Sequence, residues 1–427
     1  MGTTAFINAH LIVGNGDEVD DATVVVADGR ITETASGERT RDADVVIDLE
    51  GRALLPGFVD LHTHMVGGDN AIGLGDEATT FRMSEPLIKA VIDSVEAAGV
   101  TLRAGVTTVR EIGGRDYIDV FMKAAQSSGQ IEAPRMLTTG PGIAMTGGHG
   151  AFWDPARAAD GASEIVKRVR ELVANQVDVI KVVSADGPET LGQWWTVQTT
   201  PEELAAAFAE ARRLGRRTAT HAMGVEAVAN AVGAGVDTIE HGWYISEESC
   251  QLMAETGTYL IPTLGNVVDI IHKGPGLRMP WAEMMAADEP AIFERHSMAI
   301  AMGVNIAMGS DCGGNEARVH GFNVDELECY VRCGMTPARA LQSATLDAAR
   351  AIRLDSEIGS VEPGKLADLV IIDGDPTGDV SLAVTGVVGV IQGGEVRRDD
   401  LDLLSPIRTR GQVLSHTRQE PLGLALA

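Results

Sequence analysis

Two histidines, His62 and His64, stand two residues apart at the end of an apolar run, GFVDLHTHM. Side chains on a β-strand alternate between faces, so residues two apart share a face and both imidazoles point the same way. Such a pair also occurs on surfaces and in cores, and it gains meaning only from company. Three more apolar runs end in a residue able to hold a cation: His221 in TATHA, His241 in TIEHG and Asp311 in MGSDCG. Imidazole nitrogen with carboxylate oxygen suits zinc, and also manganese, cobalt or iron.

Lys181 interrupts VDVIKVVSA, a run otherwise almost wholly apolar, where an unpaired ammonium is costly to bury. Three readings account for it. The lysine pairs with a nearby carboxylate, or it is a Schiff-base amine activated by desolvation. In a ring of histidines, the neutral amine can instead take up carbon dioxide and bridge two metals as a carbamate.

The elements that must carry these residues form a repeating pattern. Short apolar runs alternate with Ala-rich amphipathic stretches of helical length, as expected of βα units around a parallel sheet. Eight candidate strands can be counted: ALLPGFVDLH, GVTTVREIG, PRMLTTGPG, VDVIKVVSA, RTATHA, VDTIEHG, TYLIPTLG and NIAMGSD. Ser163, Thr200 and Ser246 are candidate caps of the helices that follow them. Eight repeats without a Gly-rich phosphate loop after the first strand predict a (β/α)8 TIM barrel rather than a doubly wound sheet. In a barrel, reacting groups sit at the C-terminal strand ends, so residues distant in sequence ring one cavity.

Short β-branched runs with Gly/Asp turns occupy roughly the first 50 residues and return in KLADLVIIDGDP and VTGVVGVIQGGEVRRD. A small β-sandwich built from both chain ends is therefore expected. The implied division is 1–55 and 356–427 for the sandwich and tail, and 56–355 for the barrel.

The chain has 427 residues, 44% of them hydrophobic and 22% charged, the balance of an ordinary globular protein. Its formal charge of −27 repels phosphate backbones and anionic membrane surfaces, which argues against nucleic acid or membrane partners. Four cysteines without a Cys-x-x-Cys pair make no disulfide framework. With no signal-like N-terminus and no apolar run of spanning length, a cytoplasmic location is expected.

Taken together, these segments resemble the amidohydrolase superfamily, in particular the imidazolonepropionase-like branch with prolidase-like dipeptidases and ochratoxinase. The resemblance covers nearly the whole chain. It rests on LLPGFVDLHTHM, AGVTTVREIGG, GGHG, VIKVV, the GSD at 309–311, TPARALQSATLDAARAI and GSVEPGKLADLVIID. It implies two divalent cations, zinc first among them, with His62 and His64 on the more buried one and His221 and His241 on the other. Lys181 would be the carbamylated bridge, and Asp311 would complete the first site. Arg110-Glu111-Ile112 stands where Arg-Asp-Val/Ile is commoner, a departure that leaves the ligands untouched.

The chemistry implied is attack of a metal-activated hydroxide on an amide carbonyl, with Asp311 passing the proton to the leaving nitrogen. The resemblance also places His149 and Tyr244 against the substrate's carboxylate or carbonyl. Trp194 and Trp195 could line the pocket or a subunit contact, and a homo-oligomer is expected. His10, His272, His296, His320 and His416 receive no role, although Arg318 and His320 lie close enough after the eighth strand to reach the pocket.

The expected substrate is a small N-acyl amino acid or dipeptide, with an Xaa-Pro or aromatic C-terminal residue plausible. A urea, carbamate or cyclic amide is the alternative within the same architecture. From other classes, a non-catalytic scaffold would have no need of six retained ligands, and a Schiff-base lyase through Lys181 would keep its activity after metal removal.

Overall fold

The computed structural model describes residues 2–37, 43–66, 87–151, 158–185, 195–277, 279 and 281–407. The N-terminal segment forms β1 (Thr4–Ile12), β2 (Glu18–Ala27), β3 (Arg30–Ser36), β4 (Val45–Asp48) and β5 (Ala53–Pro56). There follow β6 (Phe58–Thr63), β7 (Val106–Glu111), β8 (Arg135–Thr138) and β9 (Val179–Val183). Next come β10 (Arg217–Ala222), β11 (Thr238–His241), β12 (Tyr259–Ile261) and β13 (Asn305–Ile306). The C-terminal part supplies β14 (Leu369–Ile372), β15 (Val387–Gln392) and β16 (Glu395–Asp399).

β6 to β13 fall in order within the eight expected strands, and every pair among them is parallel; the first expected strand, ALLPGFVDLH, also takes in β5, which belongs to another sheet. Their ladders, however, form two sheets, β6-β7-β8 and β9-β10-β11-β12-β13, rather than one closed ring. Both junctions have local causes. Beyond β8 the chain runs through Gly140 at φ +60 and Pro141, which has no N–H to donate to a ladder. Contact with β9 then resumes only at Ile143, which donates to the Lys181 carbonyl at 2.9 Å. β13 is only two residues long, and the extended chain after it bonds to β6 through Leu61 N to Met308 O (3.0 Å) and Asp311 N to His62 O (2.8 Å).

The second junction depends on a glycine. A Cβ at Gly309 would lie 2.2 Å from Ile261 Cγ2 and 2.8 Å from His62 Cβ, so no other residue lets this segment reach the His62 strand.

Among the connecting helices, Thr200 caps Pro201–Arg213 through a reciprocal capping box with Glu203, and Ser246 caps Glu247–Thr256, both as expected. Ser163 does not cap. Helix Ala162–Ala174 starts two residues earlier than a Ser163 cap requires, from Gly161 at φ +82, and Glu164 reaches back to the Asp160 N–H (3.0 Å). Helices Ile118–Ser127 and Leu264–Lys273 were not anticipated; the second begins inside what reads as the end of a strand, TYLIPTLG.

The remaining strands form one mixed sheet in the order β16-β15-β14-β5-β1-β2-β3, with β4 also paired to β1. Both chain ends contribute, as expected, and they meet edge to edge where β5 pairs with β14. β5 runs parallel to β1 and antiparallel to β14. A separate apolar core that includes Phe6, Leu11, Val24, Leu54, Leu369 and Ile391 lies against this sheet. No helix among the described residues is long and apolar enough to cross a membrane.

Candidate metal centre

β6, β9, β10, β11 and the segment after β13 bring His62, His64, Lys181, His221, His241 and Asp311 into one buried neighbourhood, none more than 8% exposed. Asp311 Oδ1 lies 3.4 Å from both His62 Nε2 and His64 Nε2. The imidazole centroids of His62 and His241 are 4.8 Å apart, and those of His221 and His241 4.6 Å. Donor atoms of His62, His241 and Asp311 all fall within 4.8 Å of one another.

Charge and burial put His62, His221, His241 and Asp311 in the forms that bind cations. Burial holds His62 and His221 well below the usual imidazole range and takes His241 down to about 3, so all three rings are neutral with a lone pair to offer. Burial also lowers the Lys181 amine to about 8. For Asp311 burial acts upward, but His62, His64 and His241 together hold the carboxyl well below its ordinary range. His221 Nε2 is buried with no hydrogen-bond partner among the described residues, an orphaned acceptor that a cation would satisfy. This donor set fits a divalent metal centre of nitrogen and oxygen ligands.

Several residues aim the candidate ligands and were not identified from the sequence. Glu240, fully buried, accepts from His62 Nδ1 at 2.9 Å and from Arg110 Nη2 at 2.8 and 2.9 Å. Arg110 also donates to the Leu61 carbonyl (2.6 Å) and Thr238 Oγ1 (2.9 Å), so it ties β6, β7 and β11 together. With Nδ1 donating to Glu240, His62 presents Nε2 to the centre. Thr263 Oγ1 donates to the Pro262 carbonyl (2.7 Å) and so accepts from His241 Nδ1 (2.7 Å), which fixes the second ring in the same sense. Asp60 accepts from His62 N, Ser310 and Asn323 and pins β6 to the Asp311 segment.

The backbone is strained where these residues meet. His241 (φ +72), Thr263 (φ +53) and Asp311 (φ +59) all occupy the left-handed region. That conformation is uncommon outside glycine and an outlier for a β-branched threonine. Residues held so typically cost of order 1–3 kcal/mol each and cluster at functional sites.

The expected substrate contacts are placed as follows. His149 lies over His221, with ring centroids 4.5 Å apart. The Tyr244 hydroxyl donates to Asp288 Oδ2 at 2.6 Å, and its ring meets Trp195 edge-on at 6.0 Å. Trp195 is 45% exposed, and Trp194 lies outside the described residues, as does His416. Arg318 is fully buried between Ser310 O, Asp269 and Asp325, and His320 bonds to Thr101. Arg318 therefore braces the site from behind. His296, given no role from sequence, lies with Nε2 3.0 Å from the His241 carbonyl.

The family model described as "Amidohydrolase family" matches residues 53–398. An ochratoxinase of Aspergillus niger is 27% identical over 406 residues, covering 87% of this chain and 81% of its own. An imidazolonepropionase of Symbiobacterium thermophilum is 26% identical over 390 residues, 84% of this chain and 86% of its own. A solved Xaa-Pro dipeptidase with methionine bound in its active site matches with a TM-score of 0.82 and 29% identity, over 92% of this chain and 99% of that one. Matched over most of its length by the family model, the chain belongs to the amidohydrolase family.

Proposed function

We propose that this chain is a binuclear metal-dependent hydrolase that cleaves the amide bond of a small N-acyl amino acid or dipeptide. The observation that carries this reading is the buried convergence of three neutral imidazoles, His64, a lowered lysine amine and an ionised Asp311. His62, His64 and Asp311 would hold one cation, zinc first among the candidates, and His221 and His241 the other. Lys181, carbamylated, would bridge them. The dipeptidase and ochratoxinase among the relatives favour an amide or peptide substrate. The imidazolonepropionase relative favours the cyclic amide as the alternative.

When bound, two such cations lower the pKa of a shared water towards neutrality and polarise a substrate carbonyl. The chain's own residues do the rest. Asp311, kept ionised, accepts the nucleophile's proton and delivers it to the leaving nitrogen, without which an amide nitrogen departs poorly. Glu240 and Thr263 keep His62 and His241 in the tautomer that faces the centre. His149 and Tyr244 are the proposed substrate contacts, with Tyr244 exchanging its bond to Asp288 for one to substrate. We further propose that the eight parallel strands act as a (β/α)8 barrel over 56–355, with 1–55 and 356–427 as a β-sandwich and tail. The proposed assembly is a cytoplasmic homo-oligomer.

The test is bound metal per subunit by elemental analysis, beside hydrolysis of N-acyl amino acids, Xaa-Pro dipeptides and phenylureas before and after chelation. About two metals with chelator-sensitive dipeptide cleavage supports the proposal. A folded, metal-free and inactive protein refutes it.

A further inference from the structure

Asp311 is held by more than the histidines. Its Oδ2 accepts from Asn266 Nδ2 at 2.6 Å, while Oδ1 faces His62 and His64. Asn266 Oδ1 in turn accepts from Asn315 Nδ2 at 2.6 Å, and Asn315 Oδ1 accepts from the Ala317 backbone N–H at 3.0 Å. Both asparagines are buried, at 5% and 7% exposure.

The two ends of an asparagine amide are nearly equal in shape, so which one faces a neighbour is decided by hydrogen bonding. Here both ends of the chain of contacts demand the same orientation, since ionised Asp311 can only accept and the Ala317 N–H can only donate. A backbone N–H can only donate, so Asn315 must turn its oxygen to Ala317 and its NH2 to Asn266. Asn266 must then turn its oxygen to Asn315 and its NH2 to Asp311. The polarity runs one way and cannot reverse unless the terminal contact breaks.

That contact is well secured. The Asn315–Arg318 turn closes through Arg318 N to Asn315 O (3.2 Å), and Arg318 Nε donates to Ser310 O (2.9 Å), next to Asp311. The same guanidinium reaches Asp269 on helix Leu264–Lys273, the helix that carries Asn266. A Cβ at Gly265 would lie 2.5 Å from Arg318 Nη2, so the glycine lets the guanidinium lie against this first turn. Glu326 pins the turn by accepting from Leu264 N (2.7 Å) and Gly265 N (2.5 Å).

We propose that Asn315 and Asn266 are positioning residues forming a one-way hydrogen-bond relay, which always presents a donor to Asp311 and so fixes which carboxylate oxygen faces the ligand cluster. The relay deepens the function proposed above and rests on Asp311 being both ligand and proton acceptor. Residues that orient metal ligands in this way are typically worth 10- to 100-fold in metal affinity or activity.

Asn315→Asp tests the polarity at a residue that does not touch Asp311. Its carboxylate still accepts from Ala317 but now competes with Asp311 for the Asn266 NH2, so a donor is no longer always presented to Asp311. The expected result is kcat lowered about 10- to 100-fold with KM within about twofold, and metal released to a chelator faster by a similar factor. Asn315→Ala removes the constraint without reversing it and is expected to change both readouts only a few-fold. A packing role alone gives the opposite order, because alanine removes more atoms. A bare charge effect would tighten a divalent cation instead of releasing it.

Should Asn315→Asp fail to fold by circular dichroism, Asn266→Asp removes the donor to Asp311 while still accepting from Asn315, and is compared with Asn266→Ala. The relay is overturned if the wild type is metal-loaded and active but the aspartate variant is no worse than the alanine variant in either readout. A wild type that holds no metal and cleaves no amide overturns it differently, by removing the proposed function beneath it.

Discussion

Replacing Glu240 by glutamine separates two jobs done by one side chain. The carboxylate is fully buried and receives Arg110 on both oxygens, Thr238 Oγ1 at 2.5 Å and His62 Nδ1 at 2.9 Å. Glutamine keeps the shape but removes the charge and leaves one acceptor oxygen for these donors, so at least one donor meets an NH2. Arg110, only 1% exposed, becomes a buried cation without its carboxylate. Breaking a buried pair from one side costs about 3–5 kcal/mol. Loss of the group that orients His62 lowers metal affinity by roughly 10- to 100-fold, or about 1.4–2.7 kcal/mol. The two costs can be measured apart: stability by urea unfolding of chelator-treated protein, affinity by competition with a chromophoric chelator. Adding Arg110→Met should recover much of the stability, since no buried charge is then unpaired, while affinity stays low. A stability loss under about 1 kcal/mol refutes the buried-pair argument. Unchanged metal affinity refutes the role assigned to Glu240 in aiming His62.

Asp311→Asn is expected to keep the fold and lower kcat by roughly 10² or more in steady-state assays, the usual loss with a general acid/base; near-normal turnover removes that assignment. Lys181→Ala should lose metal and activity, with partial recovery in short carboxylic acids that replace the carbamate; a folded, metal-loaded variant that no acid rescues counts against the bridge. Asp119 supplies a pH test away from the ligands. Burial raises its carboxyl to about 6, and one oxygen accepts both Gly140 N (2.7 Å) and Thr139 N (3.2 Å). Since the folded value is raised, its contribution to stability is full below about pH 4 and is lost as pH rises through about 6. Asp119→Asn keeps an acceptor for both N–H groups and should flatten urea-unfolding stability over that window, by up to about 1.4 kcal/mol per pH unit. An unchanged slope would mean that another group titrates there.

The residues legible in the sequence were those that break a local pattern. His62 and His64 stand out by strand alternation, Lys181 by its charge in an apolar run, and His221, His241 and Asp311 by their place at strand ends. Glu240 was illegible for a definite reason. Alternation puts it on the face opposite His241, but His241 sits at φ +72, so the chain turns at that residue and both neighbours serve the site. Thr263 lies in a segment that reads as the end of a strand and Asn266 just beyond it, where a left-handed threonine and a helix start have no strong sequence mark. The Arg110 and Glu240 partners are 130 positions apart, a pairing that only the folded chain reveals. The split of eight parallel strands into two ladders was likewise hidden, because it depends on the brevity of β13 and the bend at Gly140-Pro141.

The central position of β5 sets an order of events during synthesis. This strand, every residue of which is buried in the finished sheet, needs β14 on one side, and β14 leaves the ribosome roughly 300 residues later. At about 5–20 residues per second the nascent chain spends some 15 to 60 seconds with that apolar edge unpaired. For all that time Leu54 and Leu55 are open to association with other chains, so the interval in which a holdase chaperone is useful ends with the emergence of Leu369–Ile372.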